Sequence, residues 1–187
     1  MAKAISENEL ESLVANVVRR VTGEAEKTTS KGASRTRVIA IGADHRGQSL
    51  KEDLVGLLTE QGYGVTDHSQ QPEGSTDYPD IAEAVATQVA SGAAWRGIVI
   101  DGAGIGSCMA ANKVPGARAA LCYNQATARN SREHNNANVL SLGSGLTGPA
   151  MAQMILEVWL ETPFAGGRHA RRVDKITDIE KRYSRRE

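Results

Sequence analysis

From Arg37 onward, short apolar runs alternate with longer stretches that carry apolar residues at helical spacing. RVIAIG (37–42), GVTDHS (64–69), GIVID (97–101), ARAALC (117–122) and NVLSLG (138–143) read as strands. Helices are expected over about 48–61, over 79–91, from about 105, over 124–134 and over 147–161. A last charged segment, about 170–183, is expected to be helical and to reach a neighbouring subunit. Strands that are apolar almost throughout need cover on both faces, which is the habit of a parallel sheet. Strand–helix alternation with right-handed crossovers then gives a doubly wound α/β domain.

The expected architecture is therefore a five-stranded parallel sheet in an α/β/α sandwich, Rossmann-like, over residues 37–187. Ahead of it, residues 1–23 carry Leu10, Leu13, Val14, Val17, Val18 and Val21 on one helical stripe. Ser6 with Glu9 forms a capping box, Ile5 and Leu10 occupy the staple positions, and Gly23 marks the end. Residues 24–36 are polar and read as a flexible linker. Such a helix either docks on its own domain or lays its apolar face in a partner's groove, and the long tether favours the partner.

Composition narrows the function classes. The 187 residues have a formal net charge of zero, so nothing global points to nucleic acid or an anionic membrane. No apolar run approaches a membrane span, and the N-terminus lacks a secretion pattern. The two cysteines, Cys108 and Cys122, have neither zinc spacing nor a disulfide framework, which suits a reducing, cytoplasmic setting.

In open α/β sheets ligands bind beyond the carboxyl ends of the strands, where the strand order reverses. That singles out the loop after strand one, GADHRG with Asp44 and His45, and the loop after strand three, DGAGIG with Asp101, Gly102, Gly104 and Gly106. Glycines let backbone amides approach an anion, and the next helix adds its positive end. The glycine loop lacks the dinucleotide fingerprint's third spacing, and no acid ends the next strand, so no nicotinamide cofactor is expected. Nor is a metal. Two more polar stretches stand out: REHNNAN (132–138), with His134, Asn135 and Asn136, and GGRHARR (166–172), with Arg168, His169, Arg171 and Arg172. Singly they read as a helix-terminal cation and a solvated basic face. Together with the two loops they read as an anion site with acid–base groups around it.

GADHRG, TDYPD (76–80), the glycine loop, AANKVPGARAA (110–120), SREHNNANVLSLG (131–143) and GGRHARRV (166–173), in this order, resemble the type B ribose 5-phosphate isomerase family, which includes the galactose 6-phosphate isomerase subunits. The resemblance implies aldose–ketose isomerisation of a sugar phosphate through an enediolate, with no metal or cofactor. It implies that His134 opens the sugar ring and that Asn135 and the Gly102–Gly106 amides hold the oxyanion. Asp44, His45, Tyr78 and Ala103 would line the sugar pocket, and Arg168, His169 and Arg172 would take the phosphate. It also implies a homodimer or tetramer in which the basic segment completes the neighbour's site.

The chain departs from the family pattern where the proton is moved. Asp101 stands where many members carry a catalytic cysteine, Ala103 where many carry Thr or Ser, and Ser107 where another branch places a glutamate base. Three readings stay open: Asp101 is the base, Cys108 replaces it, or the chain is a non-catalytic or partner-dependent subunit. The striped N-terminal helix on its linker resembles the encapsulation peptides of bacterial microcompartment cargo. That implies a shell-protein partner for residues 5–22.

Overall fold

The computed structural model describes residues 36–70 and 77–184. The expected N-terminal helix and linker lie outside the described residues.

Five strands form one all-parallel sheet: β1 (Val38–Ala43), β2 (Gly64–Asp67), β3 (Arg96–Asp101), β4 (Ala119–Leu121) and β5 (Val139–Gly143). The helices are α1 (Gln48–Glu60), α2 (Tyr78–Ala90), α3 (Ile105–Ala111), α4 (Gln125–Glu133), α5 (Pro149–Glu161) and α6 (Arg168–Tyr183). The expected five-stranded, Rossmann-like α/β arrangement is what forms. The edge strands are shorter than the sequence pattern suggests: β2 stops at Asp67 and β4 covers three residues. An edge strand has a ladder on one side only, so pairing ends where its single neighbour diverges.

Each central strand sends alternate side chains to opposite layers. Ile39, Ile41, Ile98, Ile100, Leu140 and Leu142 pack against α1, α4 and α5, with Leu54, Ile155 and Trp159 fully buried among them. Ala40, Val99 and Val139 face the other way, against Ala82, Val85 and Ala86 of α2 and Ala111 of α3. The second layer lies close because the strands present small residues to it. A Cβ on Gly97 would come within 2.8 Å of Val85. Arg96, 5 % exposed, donates from Nη1 to the terminal carbonyls of α5, Trp159 O (2.6 Å) and Leu160 O (3.0 Å). Its guanidinium also lies over the Trp95 ring, 4.1 Å from the centroid.

The strand order is β2-β1-β3-β5-β4. The chain leaves β1 for one edge and returns to β3 on the other side, so the reversal falls between β1 and β3. Their carboxyl ends carry Asp44 and Asp101.

Candidate active site

A cleft of about 490 Å³ opens at that reversal. Asp44 and Arg46 line it from the β1 loop, Asp101, Gly102, Ala103 and Gly106 from the β3 loop, Tyr78 from the start of α2, and Gly145 and Leu146 from the loop after β5. The three loops are tied together. Ser144 N donates to Asp101 O (2.8 Å) and Gly145 N to Gly102 O (2.9 Å). The Ser144 hydroxyl lies 3.1 Å from both Arg46 O and Asp101 O.

Two glycines are fixed by their neighbours. A Cβ on Gly102 would meet Arg46 Cζ and Nε at 3.0 Å, because the guanidinium lies across this residue. A Cβ on Gly106 would fall 2.5 Å from the Tyr78 ring. Gly104 does not border the cleft. It caps α3 at φ 76°, and a Cβ there would strike Leu121 Cδ1 at 2.5 Å and the Leu142 carbonyl carbon at 2.8 Å.

The two aspartates are held differently. Asp101 is 5 % exposed. Its Oδ1 accepts from the amides of Ala103 (2.8 Å) and Gly104, and its Oδ2 from the Ser107 amide (2.9 Å). Burial would raise its pKa, but the Ser107 hydroxyl and these three amides outweigh it and hold the carboxyl below the ordinary value of 3.8. Four donors saturate a carboxylate's acceptor sites. Asp44 is also buried, and its Oδ1 accepts from the amides of Arg46 (2.9 Å) and Gly47 (3.1 Å). Its Oδ2 bonds to nothing among the described residues and is left to the cleft.

This arrangement changes the expected oxyanion loop. The Ala103 and Gly104 amides are spent on Asp101, so Gly102, Ile105 and Gly106 are the residues of this turn whose amides stay unbonded among the described residues. Cys108 does not border the cleft. Its thiol lies 3.5 Å from Ala119 O, and burial above all pushes its pKa up.

The structure separates the remaining expected residues from this cleft within one chain. His134 is the C-cap of α4, and Ala165 N, just ahead of α6, donates to Glu133 O (3.0 Å). That junction brings the His134 and His169 rings into parallel stacking at 4.2 Å. Arg168 Nε donates to His169 Nε2 (3.3 Å), and Asn135 Nδ2 reaches Asn130 O (3.3 Å). Arg172 is exposed one turn further along α6. Desolvation, and then the charges of His134, Arg168 and Arg172, hold the His169 imidazole below its ordinary pKa.

A crossover helix runs antiparallel to its strands, so the end of α4 lies at their amino edge. The cleft lies at the carboxyl edge, about 16 Å away along β5 at ~3.3 Å per residue. A single chain holds the two groups apart, and the family resemblance implies that the basic segment completes a neighbour's site and not the cleft of its own chain. His45 is exposed and also stands outside the cleft lining. Arg46, Gly145 and Leu146 line the cleft without having been expected. The signals were present: Arg46 sits inside GADHRG, and Ser-Gly-Leu follows the fifth strand just as the glycine loop follows the third.

Comparison with known proteins gives this geometry a lineage. Residues 39–176 match the family model described as Ribose/Galactose Isomerase. The ribose-5-phosphate isomerase B of Escherichia coli is 45% identical over 144 residues, covering 77% of this chain and 97% of that protein. The D-erythrulose-4-phosphate isomerase of Pectobacterium atrosepticum is 43% identical over 139 residues, covering 74% and 91%. The solved structure of Clostridium thermocellum ribose-5-phosphate isomerase B superposes with a TM-score of 0.75 at 51% identity, covering 78% of this chain and 99% of that one. The chain belongs to the ribose/galactose isomerase family.

Proposed function

We propose that this protein interconverts an aldose phosphate and the corresponding ketose phosphate through an enediolate, with ribose 5-phosphate and ribulose 5-phosphate as the substrate pair. The observation that carries this reading is the cleft at the β1–β3 reversal, which has two carboxylates, unbonded turn amides and an arginine around one sugar-sized space. A structure of the Mycoplasma genitalium relative, 41% identical, is described with bound ribulose-5-phosphate.

His134 is assigned to ring opening, Asn135 to the oxyanion, and Arg168, His169 and Arg172 to the phosphate. Their place at the amino edge supports a site shared between copies, in which the basic cluster of one chain serves the cleft of another. A homodimer, or a tetramer built from two, follows. Proton transfer at position 101 is the part that the geometry supports least, because the Asp101 lone pairs are taken. That observation favours the second reading, a partner-dependent subunit that binds sugar phosphate.

A panel of ribose, erythrose and allose phosphates, assayed for ketose formation with the purified full chain, tests both readings. Turnover without any partner supports the isomerase. Turnover only after adding a cysteine-bearing paralogue supports the subunit reading. We further propose that residues 5–22 deliver the enzyme to a microcompartment shell in the cytoplasm. Deleting residues 1–30 is expected to leave activity intact and to abolish co-purification with shell protein. Loss of activity on deletion would refute the delivery role.

A further inference from the structure

We propose that the β1 loop carries the chemistry in this chain: Asp44 Oδ2 moves the proton between C2 and C1, Arg46 holds the enediolate oxygens, and Asp101 is a positioning residue. The proposal rests on the isomerase reading above and goes beyond it by assigning the base and the electrophile.

The first observation is the contrast between the two aspartates. A general base needs a lone pair within reach of the proton it takes. Both Asp101 oxygens are engaged by donors of its own turn, and no part of that network can let go without unsettling the start of α3. Asp44 keeps one oxygen for its turn and one for the cleft.

The second observation is Arg46. Its guanidinium lies against Gly102, with Nη2 3.9 Å from where a Gly145 Cβ would stand. It makes no hydrogen bond or ion pair among the described residues, although two carboxylates border the same cleft. An unpaired guanidinium beside the reacting carbons suits charge that appears only during the reaction. It also makes good a shortage, since Asp101 has drawn the Ala103 and Gly104 amides away from a developing oxyanion.

In the forward direction Asp44 Oδ2 takes the proton from C2 of the open-chain aldose. The C–H electron pair becomes the C1=C2 bond, and the carbonyl π pair moves onto O1, where its charge faces Arg46. The hydroxyl proton passes from O2 to O1. Asp44 then returns its proton to C1 and the O2 electron pair closes the new carbonyl. No atom or electron is gained or lost.

The test uses the full chain with ribose 5-phosphate as substrate and two non-reacting ligands. Ribitol 5-phosphate has no carbonyl, and a phosphorylated hydroxamate mimics the enediolate. Asp44→Asn keeps the Oδ1 acceptor of its turn. It is expected to lower kcat at least a thousandfold and to abolish exchange of the C2 hydrogen with solvent, while ribitol 5-phosphate binds within threefold of wild type. Arg46→Gln is expected to lower kcat about a hundredfold and to weaken the hydroxamate at least thirtyfold, with ribitol 5-phosphate changed less than threefold. Arg46→Lys should recover part of both losses. Asp101→Asn should keep kcat and C2 exchange within about tenfold of wild type.

Turnover by Asp44→Asn or Arg46→Gln within threefold of wild type overturns the assignment. So does equal weakening of both ligands by Arg46→Gln. A thousandfold loss of C2 exchange in Asp101→Asn, with ribitol 5-phosphate still bound, returns the base role to Asp101. Wild-type protein that neither turns over a sugar phosphate nor binds either ligand overturns the isomerase reading itself, and this assignment with it.

Discussion

Replacing Asp101 by alanine separates a structural carboxylate from a reactive one. The substitution strands three backbone donors. Gly104 and Ser107 are buried, and a buried donor left unpaired costs ~1–3 kcal/mol. The Ala103 amide is half-exposed and can recruit water, so it adds little. Loss of an N-terminal cap of this kind alone costs ~0.5–2 kcal/mol. The expected loss of stability is therefore about 2–4 kcal/mol. It should be read as a lower urea midpoint with an unchanged m-value, at one fixed protein concentration. Asp101→Asn should lose less, because Oδ1 still accepts from Ala103 and Gly104 while Nδ2 faces the Ser107 amide.

The pH dependence has a definite sign. The folded-state pKa lies below the ordinary value of 3.8, so the carboxylate's contribution is complete above that value. It is lost as pH falls through the lowered native pKa. The stability gap between wild type and Asp101→Asn should be constant above about pH 5 and close below the unfolded-state value. An Asp101→Ala protein within 0.5 kcal/mol of wild type, or a gap that persists undiminished to strong acid, would show that these hydrogen bonds do not hold the turn.

Two further predictions concern the frame of the site. Gly104 and Gly116 both sit at positive φ, 76° and 87°, but a Cβ on Gly104 strikes Leu121 and the Leu142 backbone whereas one on Gly116 meets Ala90 Cβ at 3.7 Å. Gly116→Ala should cost only the left-handed strain, ~1–2 kcal/mol, and Gly104→Ala a further ~1–3 kcal/mol of overpacking, both read from denaturant unfolding. Arg96→Met should cost ~2–3 kcal/mol in the same assay, because it keeps the packing against Trp95 but leaves the last carbonyls of α5 without their cationic donor.

The alternation of apolar runs and helical stripes determined the element order, the parallel sheet and the layers, since a strand buried on both faces admits few other folds. Residue identity also marked the two loops that matter, because acids and glycines gathered where central strands end. What the tertiary structure decided is which of these groups meet. His134 and His169 are 35 positions apart in the numbering, yet they stack because the segment before α6 bonds to the end of α4. The same connection holds them at the amino edge, away from the cleft of their own chain. The role of Asp101 was equally invisible in the sequence. An acid at a strand end is a cap or a base according to where the next backbone amides point. Three of them point at its oxygens, while Asp44, in the loop after the neighbouring strand, keeps one oxygen free.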